Sequence, residues 1–106
     1  MDLVQGITED KRAVKVAALL DKFFKEHGVT DFAGNMCYSP EAWEARGELY
    51  GTKSLLVVTY DGGDHSHYFN LDYGSVKMFE ALTEFLSKNG LYFEPCTSWY
   101  AAIYHS

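Results

Sequence analysis

The densest run of chemistry-bearing side chains is Asp61-Gly62-Gly63-Asp64-His65-Ser66-His67. Read as the tip of a β-hairpin, the two-residue period of the returning strand sets His65 and His67 on one face beside two carboxylates. Neighbouring imidazoles and carboxylate oxygens are what a catalytic metal centre recruits. A small metal-dependent hydrolase is therefore one reading of the segment, with His65 and His67 as its ligand candidates. The plainer reading is a polar turn in which Asp and Gly supply backbone geometry and His65 faces solvent. His67 would then stand at the rim of a core continued by Phe69 and Leu71. The paired thiolates of a structural zinc are missing, and no cofactor is expected.

Nucleophilic chemistry has less support. Cys37 or Cys96 could take His27, His65, His67 or His105 as base, but neither cysteine sits in a local cysteine-protease signature. Two reduced thiols behaving as small hydrophobes are the expectation. Neither G-x-G-x-x-G nor G-x-x-x-x-G-K-[ST] occurs, and Ser39, Ser66 and Ser98 lack the G-x-S-x-G elbow. No catalytic residue is assigned.

The aromatic residues point to binding instead. They make up 16% of the chain, with eight tyrosines, seven phenylalanines and two tryptophans, more rings than a domain this small can hide. In the last predicted strand Tyr100, Ala102 and Tyr104 share one face, while Trp99, Ala101 and Ile103 take the other. One face must meet helices and the other is expected to be open. Tyrosine and tryptophan on an open sheet face form a low-entropy contact surface, with Tyr68, Trp99, Tyr100 and Tyr104 as anchors. Stacking of single-stranded bases would need a positive groove, yet Asp61 to Glu94 contains only Lys77 and Lys88 as bases.

Fifteen acids and nine bases give a net charge of −6. Residues 1–25 carry five bases and four acids, whereas residues 26–106 carry four bases and eleven acids. Such a surface repels phosphate backbones, so no direct nucleic-acid ligand is expected. It attracts a basic partner, including a protein or nucleoprotein complex that itself handles nucleic acid. Solubility alone would also account for the acidity. Lys11, Lys15, Lys22 and Lys25 form a basic stripe on the first helix, read as its solvated back.

The elements that must position these residues follow from periodicity. Ala13, Val16, Ala17, Leu20, Phe23, Phe24 and His27 trace one apolar helix face, capped by Thr8 and ended by Gly28. Cys37 and Tyr38 fall in a short strand, and Ser39-Pro40 opens one or two helical turns. Leu55 to Tyr60, apolar on both faces, is a central strand, with His65 to Leu71 expected as its hairpin partner. Ser75 caps a second long helix with Val76, Phe79, Leu82, Thr83 and Leu86 inward, and Glu84 and Lys88 spaced as an ion pair. Leu91–Glu94 and Trp99–Tyr104 form a final hairpin. The fold class is α+β: an antiparallel sheet of about four strands with two amphipathic helices on one face, a two-layer sandwich.

A chain of 106 residues makes one domain, 1–106. No apolar run approaches the ~20 residues of a membrane span, and the first residues lack a secretory pattern, so a cytoplasmic location is expected. These features favour a small acidic, non-enzymatic inhibitor docking on a basic nucleic-acid-handling protein, in the manner of a phage or mobile-element protein that imitates nucleic-acid charge against a host defence complex. Asp61, Asp64, Asp72, Glu80 and Glu84 would meet the partner's lysines and arginines. The alternatives are the hydrolase above and a tyrosine-sealed homodimer.

Overall fold

The apolar run at residues 55–60 contains strand β2 (Leu56–Thr59), all four of whose residues are buried. The computed structural model describes residues 11–29, 32, 37–60, 64–70, 75–97 and 99–106. Thr8, Asp61 and Asp72 lie outside them. β2 is flanked by β1 (Cys37–Tyr38) and β4 (Tyr100–His105), and β3 (Leu91–Pro95) pairs with the far side of β4. The sheet is antiparallel throughout, in the order β1-β2-β4-β3. Leu56 stands opposite Ile103 and Val57 opposite Ala102. Paired residues share a face, so Leu56, Val58, Ala101 and Ile103 point one way and Val57, Tyr100 and Ala102 the other.

The first of these faces receives the amphipathic helices, as the sequence predicts. Helix α1 (Lys11–Glu26) buries Ala13, Val16, Ala17, Leu20, Phe23 and Phe24. Its end is a complete Schellman turn: Gly28 has φ +80°, its N–H donates to Lys25 O at 3.2 Å, and Val29 N–H donates to Phe24 O at 2.8 Å. Helix α2 (Pro40–Ala45) starts where Ser39 Oγ accepts from Ala42 N–H at 3.2 Å. Helix α4 (Val76–Lys88) starts in the same way, Ser75 Oγ accepting from Met78 N–H at 3.2 Å.

The expected hairpin partner at His65–Leu71 is not a strand over its described residues. Ser66–Phe69 forms one helical turn, α3, and β2 pairs on both edges with segments distant in sequence. Burial explains the difference. A strand would point Tyr68 and Phe69 to opposite faces, whereas the helical turn buries both under α1.

The second face of the sheet is also not open, contrary to expectation. Trp43 of α2 is fully buried against Val57 and Tyr100. The segment after α2 then runs across the sheet at Gly51, whose φ is +82°. A Cβ there would lie 3.2 Å from Val57 Cγ2 and 3.3 Å from Ala102 Cβ. Ser54 Oγ anchors the same segment, donating to Gly51 O at 2.6 Å.

Gly28→Ala and Gly51→Ala both force a left-handed backbone on a residue with a Cβ, but only the second also collides with the sheet. Urea unfolding should show a loss of about 1 kcal/mol for Gly28→Ala and at least about 2 kcal/mol for Gly51→Ala. Equal losses would contradict the close approach of this segment.

Candidate functional site

The residues expected to carry chemistry divide sharply once placed. Of the hairpin-tip set, Asp64 is exposed at the turn entering α3. His65 is fully buried. Its Nε2 lies 2.8 Å from Thr59 O, and because a carbonyl only accepts, Nε2 carries the proton. Rings of Phe32 and Phe24 pack at 5.0 and 5.7 Å from the imidazole. His65 is therefore a core residue tying α3 to β2, not a solvent-facing turn residue. His67 is half-buried two positions on, about 200° away around the turn rather than on a shared strand face. The two imidazoles do not converge, and among the described residues no group of three or more His, Cys, Asp or Glu side chains could hold a metal ion.

Two of the predicted aromatic anchors are interior. Tyr68 is 6% exposed, edge-on to Phe23 and Phe24 at 5.6 and 5.5 Å. Tyr100 is 2% exposed beneath Trp43, ring centres 4.9 Å apart, and burial pushes its phenol above its ordinary pKa. Trp99 is half-buried against the same indole at 5.7 Å. Tyr104 is half-buried and stacks on Tyr92 at 5.4 Å, and burial raises its phenol as well. Arg46 closes the cluster, its guanidinium 4.6 Å over Trp43 and 5.2 Å over Tyr38. Much of the tyrosine-rich surface is thus a second small core.

The exposed surface that remains is on α4. Only Leu82 and Leu86 of this helix are buried. Val76, expected inside, is 60% exposed; Thr83 is also exposed, and Phe79 is half-buried against Phe93 at 5.1 Å. The cause lies in the helical angles. At 100° per residue, the apolar side chains from Ala81 round to Val76 sweep about 220°, wider than one buried stripe, so the margins stay in water. That width was a readable signal. Lys77, Glu80, Glu84 and Lys88 occupy the rest of the wheel as a charged ridge.

A shallow concavity lies on each side of this ridge. The larger, about 640 Å³, is lined by Val76, Phe79 and Thr83, with Glu80 and Glu84 contributing carboxylates. The smaller, about 260 Å³, runs between α1 and α4 over Phe23, Ala81 and Phe85, with one carboxylate from each helix, Glu26 and Glu84. Glu84 and Lys88 line both and pair at 3.5 Å in solvent, a contact too exposed to hold either side chain in place. An apolar floor beneath a carboxylate suits a lysine or arginine side chain, which lays its stem on carbon and its cation on oxygen. Leu49 and Tyr50, 83% and 57% exposed beside the outer sheet face, are the other large apolar residues that the sequence left unassigned.

Both cysteines are free thiols. Cys37 belongs to the core on the helix side of the sheet and Cys96 to the Trp43 cluster on the other. Burial drives the Cys37 thiol far above its ordinary pKa and raises that of Cys96 too, which disfavours the thiolate at both. Among the described residues no helix is long and apolar enough to cross a membrane. No family model, curated protein or solved structure matches this chain.

His65→Ala removes a buried hydrogen bond and opens a cavity, so urea unfolding should register a loss of about 3 kcal/mol, while zinc or EDTA should leave the melting temperature unmoved. A melting temperature that rises with zinc in the unaltered chain but not in His65→Ala would restore the metal reading. The raised thiols also set a pH dependence. Their folded pKa values exceed the unfolded ones, so the stabilisation is complete below the unfolded thiol value of about 8.5 and is lost as pH rises past it. The urea midpoint should fall between about pH 8.5 and 10, and Cys37→Ala should flatten that fall.

Proposed function

We propose that this chain is an acidic, non-enzymatic protein-binding module that docks through the outer face of α4 on a basic, nucleic-acid-handling protein and inhibits it. The observation that carries this reading is the pair of apolar concavities sharing Glu84 and its exposed partner Lys88, with Glu26 and Glu80 adding carboxylates to their rims. Arginine or lysine stems from the partner fill the Phe79 and Phe85 floors, and their cations meet the three carboxylates. Asp64 adds to the negative field that steers encounter, as do the charges of Asp61 and Asp72, while Trp99 and Tyr104 lie on the opposite face of the sheet from α4 and outside this contact.

Inhibition follows if those cations are the ones that otherwise hold phosphates. A carboxylate surface then competes with nucleic acid by occupying the same side chains. The finer reading is an anti-defence protein of phage or mobile-element type acting in the cytoplasm. Small size and acidity support it. A second reading, a homodimer, draws on β3, an edge strand whose Tyr92 is 42% exposed; sedimentation at two concentrations distinguishes it.

Immobilised protein should retain one nucleic-acid-binding protein from host lysate at low salt and release it at moderate salt. Nucleic acid should compete for the retained partner. The double variant Glu80→Lys/Glu84→Lys should weaken retention at least tenfold without lowering the melting temperature. A partner whose binding ignores both salt and these reversals would refute electrostatic docking through α4.

A further inference from the structure

A third cavity, about 230 Å³, shares no residue with the two beside α4. It opens where the first half of α1 meets the start of β2, the α4–β3 turn and the end of β4. Its floor is aliphatic, from Val16, Leu19, Leu55 and Leu91, of which Val16, Leu55 and Leu91 are buried. Its charged rim is of one sign. Arg12 and Lys15, three residues apart on one helix face, stand at the mouth with His105.

Two features make this more than a gap between side chains. Among the described residues no carboxylate lines the cavity, although acids outnumber bases fifteen to nine in the chain. Lys25, Arg46 and Lys88 each have an acidic partner, at 2.9, 3.9 and 3.5 Å. Arg12 and Lys15 have none among the described residues, so no described carboxylate competes with a ligand for them.

We propose that this cavity binds a small amphiphilic carboxylate, its anionic head between Arg12 and Lys15 and its hydrocarbon tail on the aliphatic floor. The guanidinium and the ammonium supply charge-assisted hydrogen bonds to the head, and burying the tail removes its apolar surface from water. Size limits the occupant. About 230 Å³ is below the roughly 300–1,000 Å³ of pockets that hold drug-sized ligands, which leaves room for a chain of about eight carbons. Asn89 also lines the mouth; one of its side-chain N–H groups donates to Phe85 O at 2.9 Å, which leaves the second to add to the charge-assisted bonds of the two cations.

Sodium octanoate titrated into the full chain, followed by amide and methyl NMR, is the test, with octylammonium and inorganic phosphate as controls. Octanoate should give saturable shifts confined to the Val16, Leu19, Leu55 and Leu91 floor and its rim. Octylammonium and phosphate should each bind at least tenfold more weakly. Arg12→Glu/Lys15→Glu, both on an exposed helix face, should weaken octanoate at least tenfold at an unchanged melting temperature, whereas Glu80→Lys/Glu84→Lys should leave it unaffected. Shifts that do not saturate, phosphate binding equal to octanoate, or charge reversal without effect would each overturn the proposal. Since the site shares no residue with the α4 surface, either result leaves the docking reading to its own test.

Discussion

Strand β2 places no side chain in solvent and has no free edge, and the other elements are arranged to satisfy it. Leu56 and Val58 require an apolar layer on one side, supplied by α1 and α4. Val57 requires one on the other, supplied by Trp43 and by the backbone at Gly51, which approaches too closely for a larger residue. The last carbonyl of the strand is held by the His65 imidazole, and Tyr60 just beyond it donates to Thr97 O at 2.9 Å, locking the strand to the β3–β4 turn. A strand buried on both faces and both edges leaves no freedom in its neighbours. His65, at the centre of the most enzyme-like run of the sequence, is consumed in that arrangement.

Function then falls to what the core does not use. The accessible surface of 5905 Å² is close to the roughly 6,000 Å² of a folded monomer of this mass, so the chain encloses a core of its own. The half-buried margins of α4 are therefore surplus apolar surface beside carboxylates. Apolar floor and charged rim are the combination from which polar-rimmed protein interfaces are built.

The charge is also spatially sorted. The first half of α1 is cationic, and Arg12 and Lys15 stand over an aliphatic cavity. At the far end of α1, Glu26 meets Glu84 of α4 across a concavity that Lys88 also lines. A net charge of −6 averages over these two regions and describes neither. The cavity beneath Arg12 and Lys15 has no described carboxylate, whereas the concavities beside α4 hold three.

Much of the fold was legible because local rules govern it. The apolar period of α1, the Ser39-Pro40 and Ser75 caps, the turns at Gly28 and Asn89-Gly90, and the two-sided burial of residues 55–60 each depend on neighbours a few positions away, and each stands in the structure. Burial beyond the local period was not legible. Tyr68 and Tyr100 alternate like surface residues of strands, yet α3 is a helical turn and Trp43, 57 positions before Tyr100, closes the face that alternation left open. His65 reads as a turn residue until a carbonyl six residues earlier is seen to need its proton. The sequence by itself determined the two long helices, the central strand, the final hairpin, the fold class and the charge, since period, caps and composition act locally. Only the tertiary structure decided which strand edges pair and which aromatics are core, because those depend on contacts between segments far apart in the chain.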